Sequence, residues 1–257
     1  MRVAKNNKRG LSKNALADAV IGKRLNFASA EAYKLLRTNL FFCVQLEDGR
    51  SCPVIGITSS IQGEGKSTTS INLSYMLAED GKNVCLIEGD MRAPALKSRL
   101  GLNQVYGLSK VLSGIEMSDE CLETALHKNL KVLIAGAIPP NPAELLGSKR
   151  MKQLVESLEE RFDYVIVDLP PVTVVADALA VSEVLDGLIV VVEEGVTTKR
   201  SLANTMQRLD VVNDKILGFV VTHAETGKNK YGKKKYGKYG YGYGYGYGHS
   251  HREQEGE

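Results

Sequence analysis

Residues 53–73 read PVIGITSSIQGEGKSTTSINL, and their order of patterns decides the fold. An apolar run of strand length stops at two serines, a glycine-punctuated turn follows, and from Lys66 the pattern becomes helical. Strand, loop and helix in that order are the setting in which a phosphate-binding loop works. Gly63 and Gly65 let the backbone turn so that successive N–H groups converge at a helix N-terminus, where an anion is favoured. Lys66 is then placed to neutralise charge between β- and γ-phosphate, and the Ser67 hydroxyl to coordinate Mg²⁺. The nucleotide-binding set is Gly63, Glu64, Gly65, Lys66, Ser67 and Thr68, with Ser60 standing where the G-x-x-x-x-G-K-S/T pattern has its first glycine. Lys66 is expected on an exposed loop, free of core contacts.

Outward from this stretch the chain repeats strand and helix. Apolar runs at 83–88, 131–135, 164–168, 187–193 and 216–221 are near-continuous, as suits strands buried on both faces of a parallel sheet. Helical spacing is expected over 66–79, 148–161, 176–185 and 198–212, and an amphipathic helix over 27–47 turns Ala32, Leu35, Leu36, Leu40 and Cys43 to one broad face. The expected fold is therefore α/β: a doubly wound, mostly parallel sheet flanked by helices. A basic segment (1–25) precedes the domain (26–223), and a glycine- and tyrosine-rich tail (224–257) follows it.

Two further strands end in carboxylates. YVIVD closes on Asp168, which at the C-terminal edge of a neighbouring strand can hold the Mg²⁺ shell. LIEGDMRAP (86–94) offers Glu88 and Asp90 two residues apart, a spacing that points both to one face of an extended segment. One can join Ser67 and Asp168 at the metal while the other orients or deprotonates a nucleophile, and Arg92 can pair with these acids.

The chain has 257 residues, 43% hydrophobic and 25% charged, enough for one domain with a sizeable core. It contains no apolar run long enough to span a bilayer, its basic first residues without a following apolar stretch lead us to expect no signal peptide, and its scattered Cys43, Cys52, Cys85 and Cys121 read as reduced, buried thiols. Residues 1–24 carry seven basic and one acidic side chain, residues 224–257 seven and four, and the body between them nineteen and twenty-five. Basic ends on an acidic body argue against a nucleic-acid-binding body, although a basic tail can rest on an anionic membrane surface. Both ends are expected to be disordered. Seven of the eleven tyrosines fall in the tail, at Tyr231, Tyr236, Tyr239, Tyr241, Tyr243, Tyr245 and Tyr247. A tyrosine hydroxyl has a reference pKa of about 10, so its attack on phosphorus profits from a nearby base.

EAYKLLRTNL (31–40), TSSIQGEGKSTTSINL (58–73), IEGDMRAP (87–94), GAIPPNPAELLGSK (136–149), FDYVIVDLPPV (162–172) and the tyrosine tail together resemble the bacterial tyrosine kinases of capsular and exopolysaccharide synthesis, a branch of the P-loop NTPases. The resemblance implies an Mg-ATP-dependent autokinase that phosphorylates the tail tyrosines between neighbours in a homo-oligomeric ring. It also implies a membrane-anchored modulator that activates this cytoplasmic chain and recruits it to the inner face of the membrane, and a phosphotyrosine phosphatase that reverses the reaction. The family's E-x-x-R-x-x-R oligomerisation motif falls on Glu31, Lys34 and Arg37, with Lys34 lacking the planar fork of arginine. Glu88 replaces the usual aspartate, and Thr222 and His223 stand where related ATPases often have an adenine-binding asparagine. The alternative reading of Glu31, Lys34 and Arg37 is a solvated helical face with i, i+3 pairing. A partition or division-site ATPase switch is the alternative, but such proteins carry a signature lysine where this chain has Ile61. A metal-binding tail using His249 and His251 offers too few ligands for a specific site.

Overall fold

The computed structural model describes residues 21–44, 46, 50–173 and 177–224, so the expected tail beyond Ala224, with all seven of its tyrosines, lies outside the described residues. Seven strands, β1 (Val54–Ser59), β2 (Val84–Glu88), β3 (Glu123–Thr124), β4 (Leu130–Leu133), β5 (Tyr164–Asp168), β6 (Gly187–Glu193) and β7 (Ile216–Thr222), form one sheet in the order β3-β4-β2-β5-β1-β6-β7. Every pairing is parallel except the short β3 against β4. The helices are α1 (Phe27–Cys43), α2 (Lys66–Glu79), α3 (Leu96–Leu100), α4 (Leu108–Leu112), α5 (Pro142–Leu146), α6 (Lys149–Glu159), α7 (Asp177–Ala180) and α8 (Lys199–Leu209). Among the described residues no helix is long and apolar enough to cross a membrane.

The two-residue period of a strand divides the central strands between two cores. Ile55, Ile57, Val84, Leu86 and Ile166 join α1 and α2 in one, while Val54, Cys85, Ile87, Val165 and Val167 join α4, α5, α6 and α8 in the other. Burial on both faces is what the continuous apolar runs anticipated, and it holds for β1, β2 and β5, whereas the equally apolar run at 216–221 forms the edge strand β7 and leaves Phe219 and Val221 exposed. Gly56 admits this packing, because a Cβ there would come within 2.7 Å of Leu185 and 2.9 Å of Leu188. Helix α2 is buried along almost its whole length although it is rich in serine and threonine. Ser70 and Ser74 discharge their hydroxyls on the carbonyls of Lys66 and Ser70, at 2.9 and 2.7 Å, so two of the small polar residues that seat the helix close to the sheet are satisfied by its own backbone, while the buried Thr69 hydroxyl has no hydrogen-bond partner among the described residues.

Three expectations need correction. Helix α1, capped by Asn26 accepting from the Ser29 amide at 2.8 Å, ends at Cys43 rather than residue 47, and it seats Ala30, Tyr33, Leu36 and Leu40 on the core. Leu35 and Cys43 are exposed, because two staggered stripes satisfied the spacing and the packing of α1 on α2 chose one. Cys52, Cys85 and Cys121 are buried as expected, and burial pushes the thiols of Cys52 and Cys85 up to about 12. The helix expected over 176–185 is instead α7 followed by a 3₁₀ turn at Ser182–Val184. Helices α3, α4 and α5 and strand β3 were not anticipated, since five or fewer residues are too short a window for a period to register.

Candidate active site

The C-terminal ends of β1, β2 and β5 converge, as the crevice of an open α/β sheet requires. The loop between β1 and α2 holds Gly63 at φ 98° and Gly65 at φ 93°, left-handed values that glycine adopts without strain. The Gly65 carbonyl accepts from the Thr69 amide at 2.8 Å, which starts α2 and leaves the preceding amides free of the helix ladder. At the end of β2, the amides of Gly89 and Asp90 both donate to the Asp168 carbonyl, at 2.8 and 3.0 Å. These bonds hold the Asp90 turn against the tip of β5.

Lys66 lies at the centre. Its ammonium is 2.7 Å from Asp90 Oδ2, 3.7 Å from Asp168 Oδ1 and 3.3 Å from Ser67 Oγ. The residue is buried, which corrects the expectation of an exposed lysine: the strand ends fold over the loop and enclose it. Burial pulls the ammonium down, but Asp168 and Asp90 outweigh that and leave its pKa raised. Asp168 is fully enclosed. Burial pushes its carboxyl up against the pull of Lys66, Ser67 and Ser70, and its Oδ2 has no hydrogen-bond partner among the described residues.

An orphaned carboxylate oxygen beside the Ser67 hydroxyl suits a hard divalent cation. Among the described residues no cluster of three or more His, Cys, Asp or Glu side chains is arranged to hold a metal. A divalent cation such as Mg²⁺ at a phosphate site needs only one or two protein oxygens and completes its shell with phosphates and water.

The carboxylate of Glu88, expected at the metal or at the acceptor hydroxyl, is otherwise engaged. Its Oε1 accepts from the amides of Ala95 and Leu96, at 2.5 and 2.6 Å, and its Oε2 from Ala135 at 2.9 Å. The extra methylene relative to aspartate carries the carboxylate past the site to the start of α3 and the end of β4. Arg92 likewise pairs with buried Asp177, at 2.8 and 3.1 Å, and not with Glu88 or Asp90. Asp177 follows residues 174–176, and nothing in its sequence context signalled this role. Thr68 Oγ1 accepts from Arg99 at 2.8 Å, while the Ser70 hydroxyl, one helical turn after Lys66, shares its one proton between the Lys66 carbonyl and Asp168 Oδ1, at 2.9 and 3.2 Å. The position of Ser70 was readable from its i+4 spacing.

On α1, Glu31 and Lys34 pair with each other at 2.9 Å on the exposed surface. Arg37 turns inward to Asp80 at 3.2 Å and to the Met76 carbonyl at 3.1 Å, closing the C-terminal end of α2. At the far edge, His223 adopts φ 54° and lies 3.1 Å from Glu193. On the β4 side of the acids an open cavity of about 870 Å³ is lined by Glu88, Lys97, Gln104, Ile134 and Gly136, among others.

Residues 52–218 match the family model described as an AAA domain. The chain is 37% identical over 240 residues to tyrosine-protein kinase YwqD of Bacillus subtilis, covering 93% of this chain and 97% of that protein. Its fold is similar to the kinase domain of the Escherichia coli tyrosine kinase ETK, with a TM-score of 0.72 at 29% identity over 89% of each chain. The septum site-determining protein MinD from Pyrococcus horikoshii, solved with Mg-ADP, is a more distant match, with a TM-score of 0.56 at 25% identity over 66% of this chain and 70% of that one.

Proposed function

We propose, from the premise that this chain belongs to the bacterial tyrosine-protein kinases of the AAA-domain family, that it transfers the γ-phosphoryl group of ATP to the tail tyrosines of a neighbouring copy. The observation that carries this reading is a buried lysine on a phosphate loop, shared between two carboxylates, in a chain with seven tyrosines in its last 34 residues.

The chemistry follows from the competition for Lys66. A bound triphosphate draws the ammonium away from Asp90, and Asp90 then faces the site with a free carboxylate oxygen. Asp90, rather than Glu88, takes the proton of the tyrosine hydroxyl as the tyrosine oxygen–phosphorus bond forms and the bond from the γ-phosphorus to the bridging oxygen breaks, releasing ADP. Ser67 and Asp168 would hold Mg²⁺ together with phosphate oxygens, and the ion would supply neutralisation of the charge that collects on the phosphates. The loop amides and Lys66 position the nucleotide, and the cavity beside β4 gives the acceptor segment room to approach.

The kinase regulates synthesis and export of a capsular or extracellular polysaccharide, and a membrane-anchored modulator activates it at the inner face of the membrane. Assembly into a ring places each tail at the next copy, with Glu31, Lys34 and Arg37 near the contact, and a phosphatase resets the tail. A division-site type ATPase switch is disfavoured, since it leaves the seven tail tyrosines without a use.

The test mixes active enzyme truncated after Ala224 with full-length Lys66→Met protein and labelled ATP. Phosphotyrosine on the inactive full-length partner is expected, with none when Lys66→Met protein is incubated alone. Absence of label from the partner would overturn transfer between copies. Label on Lys66→Met protein alone at the parent rate would overturn the assigned phosphate site.

A further inference from the structure

An acid inside a loop that must receive a polyanion is an electrostatic puzzle, and Glu64 is such an acid. It is fully buried. Its Oε2 accepts from the Ile61 amide at 2.8 Å, closing the 61–64 turn, and its Oε1 accepts from the Thr197 hydroxyl. The same Thr197 oxygen accepts from the Glu193 amide at 2.8 Å, and the Glu64 carbonyl accepts from the Thr222 hydroxyl at 2.8 Å. Gly65 lets Thr222 sit this close, since a Cβ there would lie 3.2 Å from Thr222 Cγ2. The phosphate loop is thereby pinned to the ends of β6 and β7, two strands that supply neither of the acids beside Lys66.

We infer that Glu64 and Thr197 are positioning residues for the nucleotide: Thr197 holds the Glu64 charge beneath the loop, away from the phosphates, and so fixes the loop in its anion-binding shape. The physical reason is that a buried carboxylate oxygen stripped of a donor carries a desolvation penalty, which it relieves by turning toward solvent. For Glu64 that turn leads into the loop's own mouth, where its charge repels the phosphates. Thr197 does not cap α8, a role filled by Thr198 accepting from the Ser201 amide, so its replacement leaves that helix start intact.

The inference rests on the proposed nucleotide site, and Mg-ADP affinity measured by calorimetry separates the two. Parent protein that fails to bind Mg-ADP overturns both, whereas the ratio of variant to parent affinity tests the inference alone. Thr197→Val should weaken Mg-ADP binding roughly ten- to a hundredfold, the worth of a hydrogen bond to a charged group, and raise KM for ATP more than it lowers kcat. Thr197→Ser should restore parent affinity. Adding Glu64→Gln to Thr197→Val should recover much of the loss, because a displaced amide carries no charge, and simple damage to the fold would show no such rescue. Parent-like affinity in Thr197→Val, or a loss that neither serine nor the Glu64→Gln addition repairs, would overturn the inference.

Discussion

At the scale of the residue, Asp168 shows a carboxylate buried at the expense of stability. Burial holds its carboxyl above the ordinary range despite Lys66 and the hydroxyls of Ser67 and Ser70. A group with a higher pKa folded than unfolded binds its proton more readily in the folded state. Its stabilising contribution is therefore fully present below the unfolded value, about 3.9, and is lost as pH rises through the folded one. Asp168→Asn mimics the protonated form permanently. In metal- and nucleotide-free buffer the variant should melt at a higher temperature than the parent at neutral pH, with the gap closing by about pH 4, and it should have no kinase activity. A variant that melts below the parent at neutral pH would mean that the attraction of Lys66 for Asp168 outweighs burial.

At the scale of the element, Glu88 acts as a latch joining three pieces of the fold. One carboxylate at the end of β2 caps the N-terminus of α3 and takes the Ala135 amide just beyond β4. A five-residue helix has little stability of its own, so a fixed acceptor at its start decides whether it forms. Glu88→Asp shortens the reach and should strand buried amides, at a cost of about 1–3 kcal/mol. Urea unfolding should then place aspartate no better than alanine at this position, opposite to the expectation for a base whose charge alone matters. Glu88→Asp with parent stability but much reduced phosphoryl transfer would return the carboxylate to the reaction.

At the scale of the whole molecule, charge is distributed as the proposed cycle between copies requires. The segment 224–257 has a net charge of +3 before modification, and the body between residues 25 and 223 has nineteen basic against twenty-five acidic residues, so the two are opposite in sign. Each phosphotyrosine adds about −1.5 to −2, so two modifications cancel the tail's charge and further ones reverse it. Particle mass followed during autophosphorylation should fall once several tyrosines are labelled, and added salt should weaken the starting assembly by screening. Assemblies that keep their mass when fully phosphorylated would remove this switch. Much of this design was legible in the chain itself. Strands buried on both faces need continuous apolar runs, and a loop that wraps phosphate needs glycine, lysine and a hydroxyl in fixed order, so the sheet, α2, Lys66, Ser67 and Asp168 could be read by local pattern. What only the tertiary structure decided was the use of side chains that reach across elements. Glu88 went to amides of α3 and β4, Arg92 to Asp177, Arg37 to the end of α2, and Glu64 beneath its own loop to Thr197. A polar side chain's partner is set by whichever unpaired donor or acceptor packing brings within about 3 Å, and that distance spans residues up to 158 positions apart in the chain.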